Sequence, residues 1–202
     1  MILLGNKNYE FASFSAESFI AMEFNKHCFS NCAFELSDFS ESKFSDCTFM
    51  NCDFRSAKLT NIIAEACEFT NCNFKEAILV GSTLDNCRLS GCTFIDAKFL
   101  GLVLNGGDLS YSCFGECNLR MMDFSNLTLK FCSFKNCNLE KSKLKYADLK
   151  GAKFDGSCLD ESDLRGARIE GVDFRGISLK KCLIDSTQAA TIAQCLGCII
   201  QN

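Results

Sequence analysis

Every fifth residue from Leu4 to Ile184 is large and apolar apart from Ala64, and the register never slips. A period of five fits neither a helix at 3.6 residues nor a strand at two, so the chain must be a repeat array. In a pentad such as Asn51-Cys52-Asp53-Phe54-Arg55, extended backbone points the central Phe54 and Cys52 inward and Asp53 and Arg55 outward. Five is odd, so one residue per pentad must turn a corner before the next centre can face in again. The position two after the centre is rich in residues that tolerate positive φ, among them Asn31, Asn51, Asn61, Asn71, Gly81, Gly91, Gly101, Gly151 and Gly166. Phenylalanine recurs every 20 residues, at Phe14, Phe34, Phe54, Phe74, Phe94, Phe114, Phe134, Phe154 and Phe174. Stacking of equivalent residues favours such a column, so one coil is 20 residues with four sides. About nine coils at roughly 4.8 Å each give a rod on the order of 43 Å long, its hydrogen bonds running between coils as in a parallel β-helix.

The unbroken register predicts one repeat domain over 1–185, followed by a distinct segment over 186–202. The chain has no proline, which suits a body of ladder hydrogen bonds, since proline cannot donate to one. A net charge of −4 without a polybasic tract predicts no direct contact with nucleic acid. The first residues are too short in apolar run for a signal peptide, and no stretch reaches the length of a membrane span. The expectation is a cytoplasmic protein away from the membrane.

Eleven of the 16 cysteines sit two residues before a pentad centre, from Cys32 to Cys182. Disulfide scaffolds space cysteines by irregular loops; these follow the repeat, as small packing residues do. Thiols in a straight column ~4.8 Å apart cannot form a tetrahedral metal site, and no metal or other cofactor is expected. Cys195-Leu196-Gly197-Cys198 falls at a helix end rather than a helix start, so it reads as two packing residues rather than a redox pair. His27, the single histidine, occupies an inward position without a partner nucleophile, so no catalytic residue is expected and the chain does not read as an enzyme.

Beyond Ile184 the pattern changes. Ser186-Thr187 can cap a short helix, Ala189, Ile192, Ala193 and Leu196 follow the spacing of one apolar face, and Cys198-Ile199-Ile200 suit a strand after Gly197. On residues alone, this is a cap for the last coil or a cap that also dimerises.

Pentads such as Ala147-Asp148-Leu149-Lys150-Gly151 and Ser162-Asp163-Leu164-Arg165-Gly166 resemble those of the pentapeptide repeat family over roughly residues 4–185. The resemblance implies an all-β fold, a right-handed quadrilateral parallel β-helix with a short C-terminal helix. Gln188-Ala189-Ala190, Leu196-Gly197 and the closing apolar run resemble the tail of the Qnr, MfpA and McbG group. That resemblance implies an end-to-end homodimer through Ala189, Ile192, Ala193, Leu196, Ile199 and Ile200. It also implies a DNA-mimicking protein that binds DNA gyrase or topoisomerase IV and protects it from quinolone or peptide poisons.

Two features depart from that group. Residues 1–100 hold 13 acids and 8 bases, but residues 101–202 hold 12 and 13, with lysines clustered at Lys130, Lys135, Lys141, Lys143, Lys145, Lys150 and Lys153. The register also leaves no room for projecting loops. Asp46, Glu65 and Asp85 are the candidate phosphate-mimicking surface. Ile78, Val80, Leu100 and Met121 are outward apolar residues that form a candidate partner patch. The alternative function is a scaffold or regulator that binds another protein through one β-helix face.

Overall fold

The computed structural model, which describes residues 7–201, turns a corner at every fifth residue from Phe11 to Lys181, each with φ between 50° and 75°. Side chains outside glycine pay about 1–2 kcal/mol for that left-handed backbone, so each corner needs support from its neighbours. The coils supply it. At Leu36 the amide donates to Arg55 O at 3.0 Å, and at Asn51 to Thr70 O at 2.9 Å. Residues 20 apart therefore pair in parallel, as at Phe29 and Phe49, which makes the fold a four-sided parallel β-solenoid followed by one short helix.

The chain falls into two compact units, up to Gly107 and from Asp108. In the first, two of the four faces are true strands: β1 (Asn8–Glu10), β2 (Glu23–Asn25), β3 (Cys28–Ser30), β4 (Lys43–Ser45), β5 (Thr48–Met50), β6 (Ile63–Glu65), β7 (Glu68–Thr70), β8 (Thr83–Asp85) and β9 (Val103–Asn105). They form one sheet in the order β1-β3-β5-β7 and another in the order β2-β4-β6-β8-β9. The other two faces pair through single bridges such as Ala33↔Asp53 and Asp38↔Lys58. In the second unit the described faces pair by single bridges, for example Thr128↔Asp148 and Asn138↔Cys158.

The two kinds of face end in two kinds of corner. Bridge faces end in a closed turn, as where Ser37 N donates to Phe34 O at 3.1 Å. Strand faces end in a bend without that turn, and six such bends are followed by Cys32, Cys47, Cys52, Cys67, Cys72 and Cys87. The thiol compensates for the missing bond. Cys47, Cys52, Cys72 and Cys87 donate to the carbonyls of Phe24, Phe29, Phe49 and Ala64 in the preceding coil, each at 3.4 Å. Ser42 and Ser82 make the same contact after closed turns, to Phe19 O and Leu59 O at 2.5 Å. Sulfur's longer reach suits the wider corner, so the cysteines are structural hydrogen-bond donors as well as packing residues.

The interior of the first unit is a set of ring stacks. Phe14, Phe34, Phe54, Phe74 and Phe94 lie face to face with centroids 4.8–5.1 Å apart. Each is edged by its neighbour around the coil, as Phe49 meets Phe54 at 5.4 Å and 68°. In the second unit Phe114, Phe134 and Phe154 repeat the stack at 5.2 and 5.0 Å, with leucine at most other centres.

The helix α1 (Ser186–Cys195) begins one residue earlier than the sequence suggests, because Asp185 rather than Ser186 or Thr187 is the cap. Asp185 accepts from Gln188 N at 3.0 Å and Gly166 N at 2.9 Å, and Gln188 Oε1 accepts from Asp185 N at 3.0 Å. Gln188 Nε2 donates to Leu164 O and Ala167 O, which ties the helix to the last coils of its unit. Cys198, Ile199 and Ile200 form no strand, so that expectation is corrected: they follow Gly197 without a ladder partner to pair with.

Phe54→Ala removes a ring held on both faces and should cost about 3–5 kcal/mol in a denaturant titration. A cost under about 1 kcal/mol would contradict the stack. Burial pushes the Cys132 and Cys137 thiols up to about 12. In native protein a bulky thiol reagent should label the exposed Cys28 and Cys198 first, the half-buried Cys113 and Cys158 later, and Cys132 and Cys137 only on unfolding. The two amides of Gln188 and Gly166 hold the Asp185 carboxyl below its usual range. Its folded pKa is depressed, so its contribution is complete above about pH 4 and is lost as pH falls through the folded value. Melting curves between pH 7 and pH 2 should therefore converge for wild type and Asp185→Ala as acid is added; a constant gap would contradict the cap.

Candidate partner-binding surface

The acidic candidates do come together. Glu65 and Asp85 are paired neighbours in β6 and β8, and Asp46 N donates to Glu65 O at 3.1 Å from the corner of the preceding coil. Asp46 and Glu65 are exposed; Asp85 is half-buried and accepts from Asn105 Nδ2. Glu65 and Asp85 thus stand in register at the C-terminal ends of β6 and β8, with Asp46 at the adjoining corner one coil earlier.

The apolar candidates divide. Ile78 and Val80 are half-buried and Leu100 is 81% exposed, all on one face of the first unit. Val80 and Leu100 lie one above the other, with Asn61 N on Val80 O and Gly81 N on Leu100 O, both at 2.9 Å. Met121 is exposed but belongs to the second unit. The sequence reading missed Ile63 and Val103, 40% and 45% exposed, which border the same corner from its other side. Their signal was present: with Thr83 they form an outward row spaced by 20 residues.

In the tail the expected stripe is split. Ile192 is only 8% exposed and packs inside its own chain beside the buried Gln188, so its assignment to an intermolecular contact is corrected. The helix must bury that side to cover the last coils. Ala193 is half-buried and Ala189 exposed, while Leu196, Ile199 and Ile200 are 57%, 89% and 43% exposed. Cys195 accepts from Phe174 N at 3.3 Å, but Cys198 is exposed rather than packed.

His27 is half-buried, accepts from Asn25 N at 3.1 Å through Nδ1 and packs its ring against Phe24. Burial lowers its pKa, so the imidazole is neutral at neutral pH. Among the described residues, no group of three or more His, Cys, Asp or Glu is placed to hold a metal, and no helix is long and apolar enough to cross a membrane. Three of the seven clustered lysines are engaged by the chain's own carboxylates: Lys130 with Asp148, Lys141 with Glu161 and Lys143 with Asp123, at 3.2–3.5 Å. Lys145 instead lies 5.6 Å from the centroid of Tyr146, one of several exposed corner aromatics with Tyr111 and Phe131.

Among solved structures, a trypsin-treated form of QnrB1, a plasmid-mediated fluoroquinolone resistance protein, is 20% identical with a TM-score of 0.62 over 96% of this chain and 97% of that one. Full-length QnrB1 is 21% identical with a TM-score of 0.56 over 95% and 100%. HetL of the cyanobacterium Nostoc sp. strain PCC 7120, a pentapeptide repeat protein involved in heterocyst differentiation regulation, is 20% identical with a TM-score of 0.52 over 89% and 87%. These likenesses concern the fold. No curated protein matches the chain. A model of the pentapeptide repeat region matches residues 67–144, and one of pentapeptide repeats in eight copies matches 28–55. Together they cover more than half of a chain whose coils, corners and inward columns follow the same five-residue rule, and the chain belongs to the pentapeptide repeat family.

Proposed function

We propose that the chain is a non-enzymatic, DNA-mimicking protein of the cytoplasm that binds DNA gyrase or topoisomerase IV and protects it from quinolone or peptide poisons. The observation that carries this reading is the run of carboxylates Asp46, Glu65 and Asp85, at adjoining positions in successive coils. Regularly spaced anions on a rigid ladder compete with duplex DNA for a basic binding saddle, and their attraction is weakened by salt. The likeness to QnrB1 over nearly the full length of both chains supports the same reading. The exposed Leu196, Ile199 and Ile200 supply the surface for an end-to-end homodimer. A second reading, a scaffold that binds another protein through one β-helix face, is favoured by the exposed Leu100 beside Val80.

The test is DNA supercoiling by purified gyrase with and without a quinolone. The chain should restore supercoiling in the presence of drug, and Glu65→Lys with Asp85→Lys should weaken that protection about ten-fold or more. Ile199→Asp places a charge on each side of a two-fold contact; it should give monomers with an unchanged far-UV spectrum and lost protection. Protection that ignores both acid reversal and added salt would leave the scaffold reading in its place.

A further inference from the structure

We infer that the bare corner at Gly81 and Gly101, with the apolar side chains on both its flanks, is a ridge that enters an apolar groove of the partner. The inference rests on the topoisomerase reading and adds to its acidic edge a contact that salt does not weaken. At Gly101 the chain has no side chain to present, and a Cβ there would meet only the backbone of Gly81, 3.7 Å away; one coil earlier the Asn61 side chain lies against Gly81. On one flank stand Val80 and the 81%-exposed Leu100, stacked in successive coils. On the other stand Ile63, Thr83 and Val103, paired in register along β6, β8 and β9.

Single exposed apolar residues are ordinary on a soluble protein; a contiguous set wrapped around a bare backbone crest is not. Charge brackets the ridge with opposite signs. The exposed Lys98 lies beyond Leu100 on one side, and Glu65 and Asp85 lie beyond Val103 on the other. The ridge is convex, so the occupant is concave: a protein groove with an apolar floor, a basic wall facing Glu65 and Asp85, and an acidic wall facing Lys98. A purely basic DNA saddle would answer only the acidic flank. Glycine at the crest lets the groove floor approach the backbone, which a side chain would hold off.

Binding of the full-length chain to purified gyrase holoenzyme, measured at several salt concentrations, tests this. Leu100→Thr with Val103→Thr places strand-compatible, more polar residues at two exposed positions and should leave the melting temperature unchanged. It should weaken binding at least ten-fold at every salt concentration without changing the slope of affinity against salt. Glu65→Lys with Asp85→Lys should instead flatten that slope. Gly101→Asn serves as an independent variant, because asparagine already turns the same corner at Asn61 with φ 56°. It should fold normally and bind at least ten-fold more weakly by filling the crest. Wild-type affinity in both ridge variants would overturn the ridge and leave the topoisomerase reading standing. Absence of binding by the wild-type chain itself would overturn both.

Discussion

To bring residue i+20 over residue i, the backbone must change direction four times per coil, and each change takes a left-handed conformation that L-residues resist. Among the described residues, 26 corners are not glycine, and they include Phe11, Leu36, Tyr111, Met121 and Phe131. None of these would adopt positive φ alone. Each is held because its amide is already committed to the next coil, as Phe131 N is to Lys150 O at 2.9 Å. The ladder imposes the corner, and the corner returns every centre to the interior where the rings stack. The two conditions support each other, which is why the array tolerates almost any residue at its corners but almost none but large apolar ones at its centres.

That asymmetry explains what could be read from the residues. Centres such as Phe34 and Leu119 are fixed by burial, so their period of five and the 20-residue phenylalanine column show the coil directly. Corners at Asn51 or Gly81 could be recognised from their chemistry; those at Phe131 or Lys141 could not, because there the neighbouring coil decides the backbone and the side chain has no say. The difference between bends and closed turns was visible only as a preference for cysteine over serine or alanine, and the thiol-to-carbonyl bonds supply its reason. At the tail, the apolar spacing located α1 correctly but could not tell which apolar side chains it covers. Ile192 goes inward because Gln188 anchors that side of the helix on Leu164 O and Ala167 O.

The outer surface was less legible for a physical reason. Outward positions carry no packing constraint, so a row gains meaning only when several coils are aligned. Asp46, Glu65 and Asp85 are scattered in the chain but adjoin in successive coils. Ile63 and Val103 looked unremarkable until the register set them in one row with Thr83, across a glycine corner from Leu100. Conversely, three of the seven lysines that cluster in sequence, Lys130, Lys141 and Lys143, are held by the chain's own carboxylates, so the run of like charge is partly neutralised.

A parallel ladder has no intrinsic reason to stop, since the final coil offers the same unpaired row to a stranger that each earlier coil offered to its successor. The helix α1 ends this growth chemically as well as sterically. Gln188 caps two carbonyls of the last coils and Asp185 caps an amide at Gly166, so the side chains of one turn of helix act as chain terminators for a one-dimensional polymer. A chain cut before Asp185 would lose its terminator while keeping its template. Its failure would be to recruit, strand upon strand, rather than to unfold.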